Sequence, residues 1–582
     1  MSSLRVLERL IGMETEYGLL RDSNDSHFDA GELYDSIRFW FASRLPIAET
    51  INDEQRFFTA NGGCIGIARL LSGNRALLGN RALSEKRSRS GNRAPSGNWD
   101  QGMLEGATPE CRSPRLLVTY QSVQDQMLAE CLFDIASKKS MSWIKNSGDA
   151  YGNNYGQHEN YELQIAQGWR LLAWRIGLVA LLPFLIIYKL FALIWLAIVK
   201  GLNRAWQSRV KRDPLDTLID DRPHEWRTGS SSHLSPGFVR LAAIGLRYLQ
   251  WPIALLLHRL IVAFVLIPHR RWMAGFFASR AVVDGSGYLD RQGRYWLSAR
   301  AASLTSIIGF GGYWNERPIF GTGHWLHSIL RCESASFVAW RRLFSSRQRV
   351  QIAIGDSTPN PRAQHLRIGT TCLAFDLIES QFTNGLPKFG DCLGSLKALT
   401  TDQSLLRSIC DRQDKNWTAI ELQRHYASAI RHFLSFVPNV TKEAMEIVEQ
   451  WQLTLDHLEE SDHDLDCQRW LLGRVDWYSK RWLIDQTATT ASWESQKKID
   501  TRYHELSRHG YYNMMVSSLS IAPFSSSQQM KRSMRLPPSD TPAKIRGYWI
   551  REFADEHAAL KVNWESVVWF DEFGKQKRQK IS

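Results

Sequence analysis

Glu14 and Glu16 stand two residues apart in Gly12-Met13-Glu14-Thr15-Glu16-Tyr17-Gly18, directly after the apolar Val6, Leu7, Leu10 and Ile11. Side chains on a strand repeat every two residues, so both carboxylates fall on one face about 7 Å apart. Carboxylates so placed repel unless cations lie between them, which suits a hard, oxygen-preferring ion such as Mg²⁺. A solvated edge strand would show the same alternation. Leu104-Glu105-Gly106-Ala107-Thr108-Pro109-Glu110-Cys111 supplies two more carboxylates and a hydroxyl. The stretch from Lys145 to Tyr161 is too rich in Gly and Asn to be a helix. It reads as a Gly-rich loop that delivers His158 and Glu159 side by side, residue types that bind divalent metal or carry a proton. Taken alone, such a run is a surface loop.

Together, Gly-Met-Glu-Thr-Glu-Tyr-Gly, Asn61-Gly62, Glu-Gly-Ala-Thr-Pro-Glu-Cys and the segment ending His158-Glu159-Asn160-Tyr161 resemble the Pup ligase and depupylase family. These proteasome accessory factors are carboxylate–amine ligase relatives of glutamine synthetase. Arg317-Pro318-Ile319, Ile354-Gly355-Asp356-Ser357, Asp476-Trp477, Asp500-Thr501-Arg502-Tyr503-His504, Arg546-Gly547 and Val562-Asn563-Trp564 continue the resemblance in order. It runs over nearly the whole chain outside two insertions.

The resemblance implies an α+β fold: a glutamine-synthetase-like, curved and mainly antiparallel sheet forming a cradle, backed by helices, with a small C-terminal domain from about residue 510. It also implies a reaction in which ATP phosphorylates a carboxylate and a lysine amine then displaces the phosphate, with Mg²⁺ ions neutralising the phosphates. Glu14 and Glu105 match the family's metal positions, and Glu16 joins them as a candidate ligand. His158 and His327 are further candidates, the latter matching the histidine after the Arg-Pro-Ile strand. Thr108, Arg317 (through its planar fork of donors) and Trp564 (near adenine) are the implied nucleotide contacts. In the family, a strand shortly after Asn-Gly carries the catalytic Asp. Here those positions fall on Cys64, Gly66 and Ala68, and Asp100 in Trp99-Asp100-Gln101-Gly102 is the candidate displaced catalytic acid. A family arginine is also missing where Gly323 follows Thr322.

At 582 residues, 44% apolar and 23% charged, the chain exceeds a single-core size. Eight scattered cysteines without a Cys-x-x-Cys pair argue against a zinc site and a disulfide framework, and fit a reducing cytosol. Glu8 and Arg9 fall where a signal peptide would need its apolar core, so no secretion signal is expected. The net charge is +13, but residues 69–98 alone hold seven Lys/Arg against one Glu. With no zinc finger, basic heptads or aromatic RNA-binding motif, nucleic acid is not an expected partner.

The first insertion is a degenerate repeat: Gly73-Asn74-Arg75-Ala76-Leu77, Gly79-Asn80-Arg81-Ala82-Leu83 and Gly91-Asn92-Arg93-Ala94-Pro95. Too little of it is apolar to offset the cost of ordering, so residues 64–98 are expected to contain a disordered basic loop. The second, 165–275, divides the ligase domain into 1–164 and 276–509, with 510–582 as the C-terminal domain. It holds an apolar run from Ile176 to Val199, broken by Pro183 and Lys189, and another from Pro252 to Pro268, broken by His258 and Arg259. As a helix the first reaches about 36 Å, enough to cross a bilayer core of about 30 Å. Two spans would export residues 200–240, which carry eight Lys/Arg against five Asp/Glu, contrary to the positive-inside bias. A re-entrant or interface-lying hairpin that keeps those charges on the cytosolic side is therefore expected, with spanning the membrane left open; a helical hairpin packed on the enzyme is the alternative.

Three functions compete. One is a membrane-associated ligase joining the C-terminal glutamate of a small Pup-like modifier to substrate lysines for the proteasome pathway. The second is a depupylase or deamidase, and the third a catalytically lapsed scaffold that binds the modifier. A strand is expected over Thr370 to Leu377, and a helix over 443–459 from the spacing of Ala444, Ile447, Val448, Trp451 and Leu455.

Overall fold

The computed structural model describes residues 6–21, 30–51, 53–68, 103–135, 141–148, 155–210, 236–314, 316–330, 340–488, 490–554, 560–571 and 573–581. Thirteen strands form one sheet: β1 Ile11–Arg21, β2 Ile47–Thr50, β3 Asp53–Thr59, β4 Cys64–Ala68, β5 Met103–Ala107, β6 Met141–Ile144, β7 Gln157–Gln164, β8 Ser306–Gly309, β9 Pro318–Gly321, β10 Arg347–Ile352, β11 Leu560–Val562, β12 Ser566–Phe570 and β13 Gln576–Lys580. Their order is β8-β9-β10-β7-β1-β5-β4-β3-β2-β11-β12-β13, with β6 also on β1. Only β8/β9 and β2/β11 are parallel; the other ladders are antiparallel, as expected.

The sheet curls. β10 and β11 are seven strand steps apart, about 34 Å on a flat sheet. Yet Arg342, just before β10, pairs with Glu565, just after β11, at 2.8 Å. The two flanks are brought together into a cradle, and β11–β13 extend the main sheet rather than standing apart as a separate domain.

Odd-numbered β1 residues face the convex side, where helices α1 (Ala30–Ala42) and α2 (Pro114–Ile135) cover them. Tyr17 and Leu19 join Phe57, Ile65 and Leu104 in one buried cluster there, and the Tyr17 hydroxyl donates to Asp125 at 2.7 Å. The expected strand over Thr370–Leu377 is instead part of a helix, Pro361–Glu379. Ala363 to Ile378 are all buried, so no 3.6-residue stripe marks the sequence. The expected helix over 443–459 is present as Lys442–Glu460, with Thr441 accepting from the Ala444 N–H as its cap.

The second insertion is helical: α3 Gly168–Ala180, α4 Leu182–Val210 and α5 Pro236–Phe264, with α3 and α4 running antiparallel to α5. Its base belongs to the main core. Trp174 is buried beside Trp325 and donates to the Leu343 carbonyl, and Leu178, Leu257 and Ile261 are also fully buried. Leu266 N–H donates to the Ile165 carbonyl at 2.8 Å, so entry and exit adjoin. Two helices here are long and apolar enough to cross a membrane. The basic repeat lies outside the described residues, but β4 and β5 pair as far as Ala68–Met103, so it departs from the end of an intact hairpin.

Candidate functional site

Two cross-strand rows build the concave face. Pairing places Phe58, Cys64, Ala107, Glu14 and His158 in one row, and Arg56, Gly66, Glu105 and Glu16 in the next. Directly opposed antiparallel residues share a face, so three carboxylates and an imidazole converge from three strands. Glu14 pairs with Arg349 and meets the Gln351 amide at 3.4 Å. Glu105 meets Arg56 at 2.9 Å, and Glu16 accepts the Gly156 N–H at 2.7 Å. Gly156 belongs to the Gly/Asn-rich segment, where a Cβ would press within 3.2 Å of Arg300 and His158.

The titration behaviour follows this crowding. Burial, then the like charges of Glu14 and Glu16, outweigh Arg56 and push the Glu105 carboxyl up to about 7. At Glu14 burial acts in the same upward direction, but Arg349 and His158 hold its carboxyl below the ordinary value. Burial, then the nearby Arg300, lower the His158 imidazole below its ordinary value, and its Nδ1 is buried without a hydrogen-bond partner. Three carboxylates on one face beside an unpartnered imidazole nitrogen make Glu14, Glu16, Glu105 and His158 the candidate ligands of a divalent cation, although no three of their ligand atoms lie within 4.8 Å of one another here.

The motif around Glu105 serves several purposes. Thr108 is buried and accepts the Met13 N–H at 3.1 Å, so its hydroxyl secures the ladder end. Glu110 pairs with fully buried Arg546, and Cys111 bridges Ile11. Trp564 stands edge-on to Phe58 with ring centroids 4.9 Å apart, and Arg546 lies 4.6 Å over its ring, at the end of the row that contains Glu14. Arg317 stands half-buried just before β9, its backbone N–H donating to Thr305, about 13 Å of strand from Gly321, which pairs with Gln351. His327 is exposed on the helix Gly323–Leu330; the histidine turned to the cradle wall is His324, whose Nε2 lies 2.8 Å from the Arg349 carbonyl.

His158 and Glu159, adjacent in sequence, are on opposite faces. Glu159 is fully buried on the convex side, where Arg280 meets both of its oxygens at 2.9 and 3.1 Å and Tyr161 donates at 2.6 Å. Asp100 lies outside the described residues. On β4, Cys64 and Gly66 face the cradle where the family places its strand, and neither is an acid. The missing family arginine also has a steric cause: a Cβ at Gly323 would stand 2.3 Å from the Phe310 carbonyl oxygen.

Sequence reading missed Arg56, Arg300, Arg349 and Gln351. The alternation in Arg347-Gln348-Arg349-Val350-Gln351-Ile352 signals a strand with Arg349 and Gln351 on one face. Arg300 has no such signal; its backbone N–H is fixed by Asp356 of the Ile-Gly-Asp-Ser motif, and its Nε by the Ala353 carbonyl.

A curled, mainly antiparallel sheet with a carboxylate-lined concave face is the α+β cradle expected of a carboxylate–amine ligase. Two solved structures share the fold over nearly all of the chain. The complex between the prokaryotic ubiquitin-like protein Pup and its ligase PafA has a TM-score of 0.61 at 15% identity, covering 100% of this chain and 89% of that one. PafA in complex with ADP has a TM-score of 0.56 at 14% identity, covering 96% and 92%. The Pup-ligase protein family matches residues 9–568, and the chain belongs to it. Among curated relatives, a depupylase of Acidothermus cellulolyticus is 27% identical over 323 residues, 53% of this chain and 59% of its own length. A Pup deamidase/depupylase of Mycobacterium tuberculosis is 28% identical, covering 50% and 56%, and a Pup–protein ligase of Mycobacteroides abscessus 25%, covering 50% and 62%. The chain thus spans less than two thirds of the length of these relatives.

Proposed function

We propose that this protein is an ATP-dependent carboxylate–amine ligase that joins the C-terminal glutamate of a small Pup-like modifier to substrate lysines, feeding the proteasome pathway. The observation that carries this reading is the convergence of Glu14, Glu16, Glu105 and His158 on one concave face within a chain of this family. Mg²⁺ held there would neutralise the phosphates of ATP and orient the one being transferred. Arg349 and Arg56, already paired with Glu14 and Glu105, are placed to exchange those carboxylates for phosphate oxygens. Arg300, beside Gly156 and His158, adds a third cation. Trp564 at the far end of the same row offers a face for adenine, with Arg317 as a further phosphate contact. Asp100 is the candidate base for the attacking lysine.

Incubation with ATP, Mg²⁺, the cognate Pup-like modifier and a substrate protein tests this. A covalent conjugate is expected from the wild type and none from Glu14→Ala; a wild type that conjugates nothing refutes the reading. The reverse reaction, depupylation or deamidation, is the second reading, favoured by the depupylases among the curated relatives. Cleavage of a preformed conjugate without net conjugation would select it. A modifier-binding scaffold is the third, favoured by the acid-free β4 and by Gly323; modifier binding with neither reaction would select it. The insertion supports placement in the cytoplasm at the inner face of the membrane, because α4 exposes Phe184, Ile187, Phe191, Ile194 and Ile198.

A further inference from the structure

The helices α3, α4 and α5 together carry nine Lys/Arg and no Asp or Glu. At the chain's overall composition, about seven acids would be expected in a stretch of that length. Arg175, Lys200, Arg204, Arg240 and Arg259 are exposed. A purely apolar hairpin needs no such bias. A surface that meets fixed negative charge does.

The outer helix, α4, has only one covered seam. Leu185, Tyr188, Ala192, Val199 and Asn203 are buried, while apolar residues on both sides of that line are open, among them Ile186, Ile187, Leu193, Ile194 and Leu202. A helix that docks onto one protein partner is amphipathic, whereas one apolar nearly all round is surrounded by lipid or by protein core. Two polar side chains in the outer part of the hairpin are bonded within it, as lipid requires. Gln250 donates to the Tyr188 hydroxyl at 3.0 Å, and Trp195 to the Ala242 carbonyl at 3.3 Å. Gly245 makes that approach possible, since a Cβ there would stand 2.2 Å from the Trp195 ring.

Depth decides between spanning and lying in one leaflet. Arg247 donates to the Tyr313 carbonyl of the enzyme body at 2.9 Å, at the hairpin level of about Ala192. From there to Val210, where α4 ends, the helix extends about 27 Å, short of a hydrocarbon core of about 30 Å. Within that length lie Lys200, Arg204 and, across the hairpin, Arg240. Over the described part of the hairpin, crossing would require the body to enter the bilayer.

Resting on the tether reading given above, we propose that the hairpin is a one-leaflet anchor selective for anionic phospholipid. Its apolar flanks enter the acyl region, and Lys200, Arg204 and Arg240 bind headgroup phosphates. The enzyme body stays on the same side of the membrane as the tip.

The full-length protein is floated with phosphatidylcholine vesicles and with vesicles also containing phosphatidylglycerol. Binding at least about tenfold stronger to the anionic vesicles is expected. Lys200→Gln/Arg204→Gln/Arg240→Gln should remove most of that ratio while leaving Tm and conjugation unchanged. Leu193→Asp/Ile198→Asp should abolish binding to both vesicle types. Equal binding to the two vesicles keeps the tether and overturns the lipid selectivity. No flotation on either overturns the tether itself, and a dimer by light scattering would then identify a second copy as the cover of α4. Gln207→Cys on sealed vesicles should react with an impermeant maleimide added outside, measured as the increment over the parent chain. Protection of that cysteine would mean a crossing hairpin and overturn the one-leaflet geometry.

Discussion

Among the described residues, Asp500 is the one carboxylate in direct contact with two buried ammonium groups, and its removal should be among the most damaging substitutions outside the cradle. Lys480 reaches its Oδ1 at 2.7 Å and Lys497 its Oδ2 at 2.5 Å; all three are buried. Lys480 also donates to the Gly287 carbonyl and to neutral His504, and Lys497 to the Leu289 carbonyl. The His504 carbonyl accepts the Lys145 N–H, so this knot secures the start of the Gly/Asn-rich segment that leads to His158. Burial opposes ionisation of Asp500, but the two lysines hold its carboxyl down to about 2. A depressed carboxylate contributes stability that is complete above its unfolded value near 3.8 and is lost as pH falls through about 2. Asp500→Asn leaves two cations without a partner, which costs about 3–5 kcal/mol. Spread over a cooperative unit of about 450 residues, that lowers Tm by roughly 3–5 °C. Calorimetry at neutral pH measures the loss, and hydrogen exchange at Lys145 should accelerate with it. Lys480→Met in the Asp500→Asn background should recover part of the Tm by removing one stranded charge. A Tm within about 1 °C of the wild type for Asp500→Asn alone would refute the account of the knot.

Three further outcomes follow from the packing. The Glu105 carboxyl is raised to about 7, so its contribution weakens the fold as pH rises from about 4.5 through 7; Glu105→Gln in metal-free buffer should raise Tm at pH 8 and leave it unchanged at pH 4. Arg546 is fully buried against Glu110, the Gly62 carbonyl and Trp564; Arg546→Met should cost about 3 kcal/mol and expose residues 540–570 to proteolysis. Replacing 184–251 by a short Gly/Ser turn should yield a chain soluble without detergent and with near-parental Tm, whereas deleting 170–272 should destabilise it by uncovering Trp325 against the lost Trp174. Equal Tm for the two deletions would show that the hairpin base is not part of the core.

The cradle was legible because a period of two is hard to disguise. Alternation placed Glu14 and Glu16 on one face, and the register sets His158 opposite Glu14 and Glu105 opposite Glu16. The same period was overlooked at His158-Glu159, where adjacency in the chain means opposite faces of the sheet. Strand and helix were confused over 370–377 because the helix there is buried on all sides, and a run of continuous burial has no period to read. The helix at 442–460 packs only one stripe and announced itself. Arg56 and Arg300 reach the site through pairing between distant segments, which no local spacing records. His327 and His324 lie three apart on one short helix; which of them turns inward depends on where β10 passes.

The hydrogen bond between Ile165 and Leu266 has a consequence for how such a protein could arise. A segment that leaves and rejoins its host at neighbouring backbone atoms imposes almost no closure penalty, however long it grows. With the hairpin as the membrane anchor proposed above, it is portable in principle: the same graft, placed at a tight connection on the rim of another enzyme, would move that enzyme from three-dimensional search to a surface. On such a surface, the proteins within reach would be chosen by where they reside before any sequence in them is read.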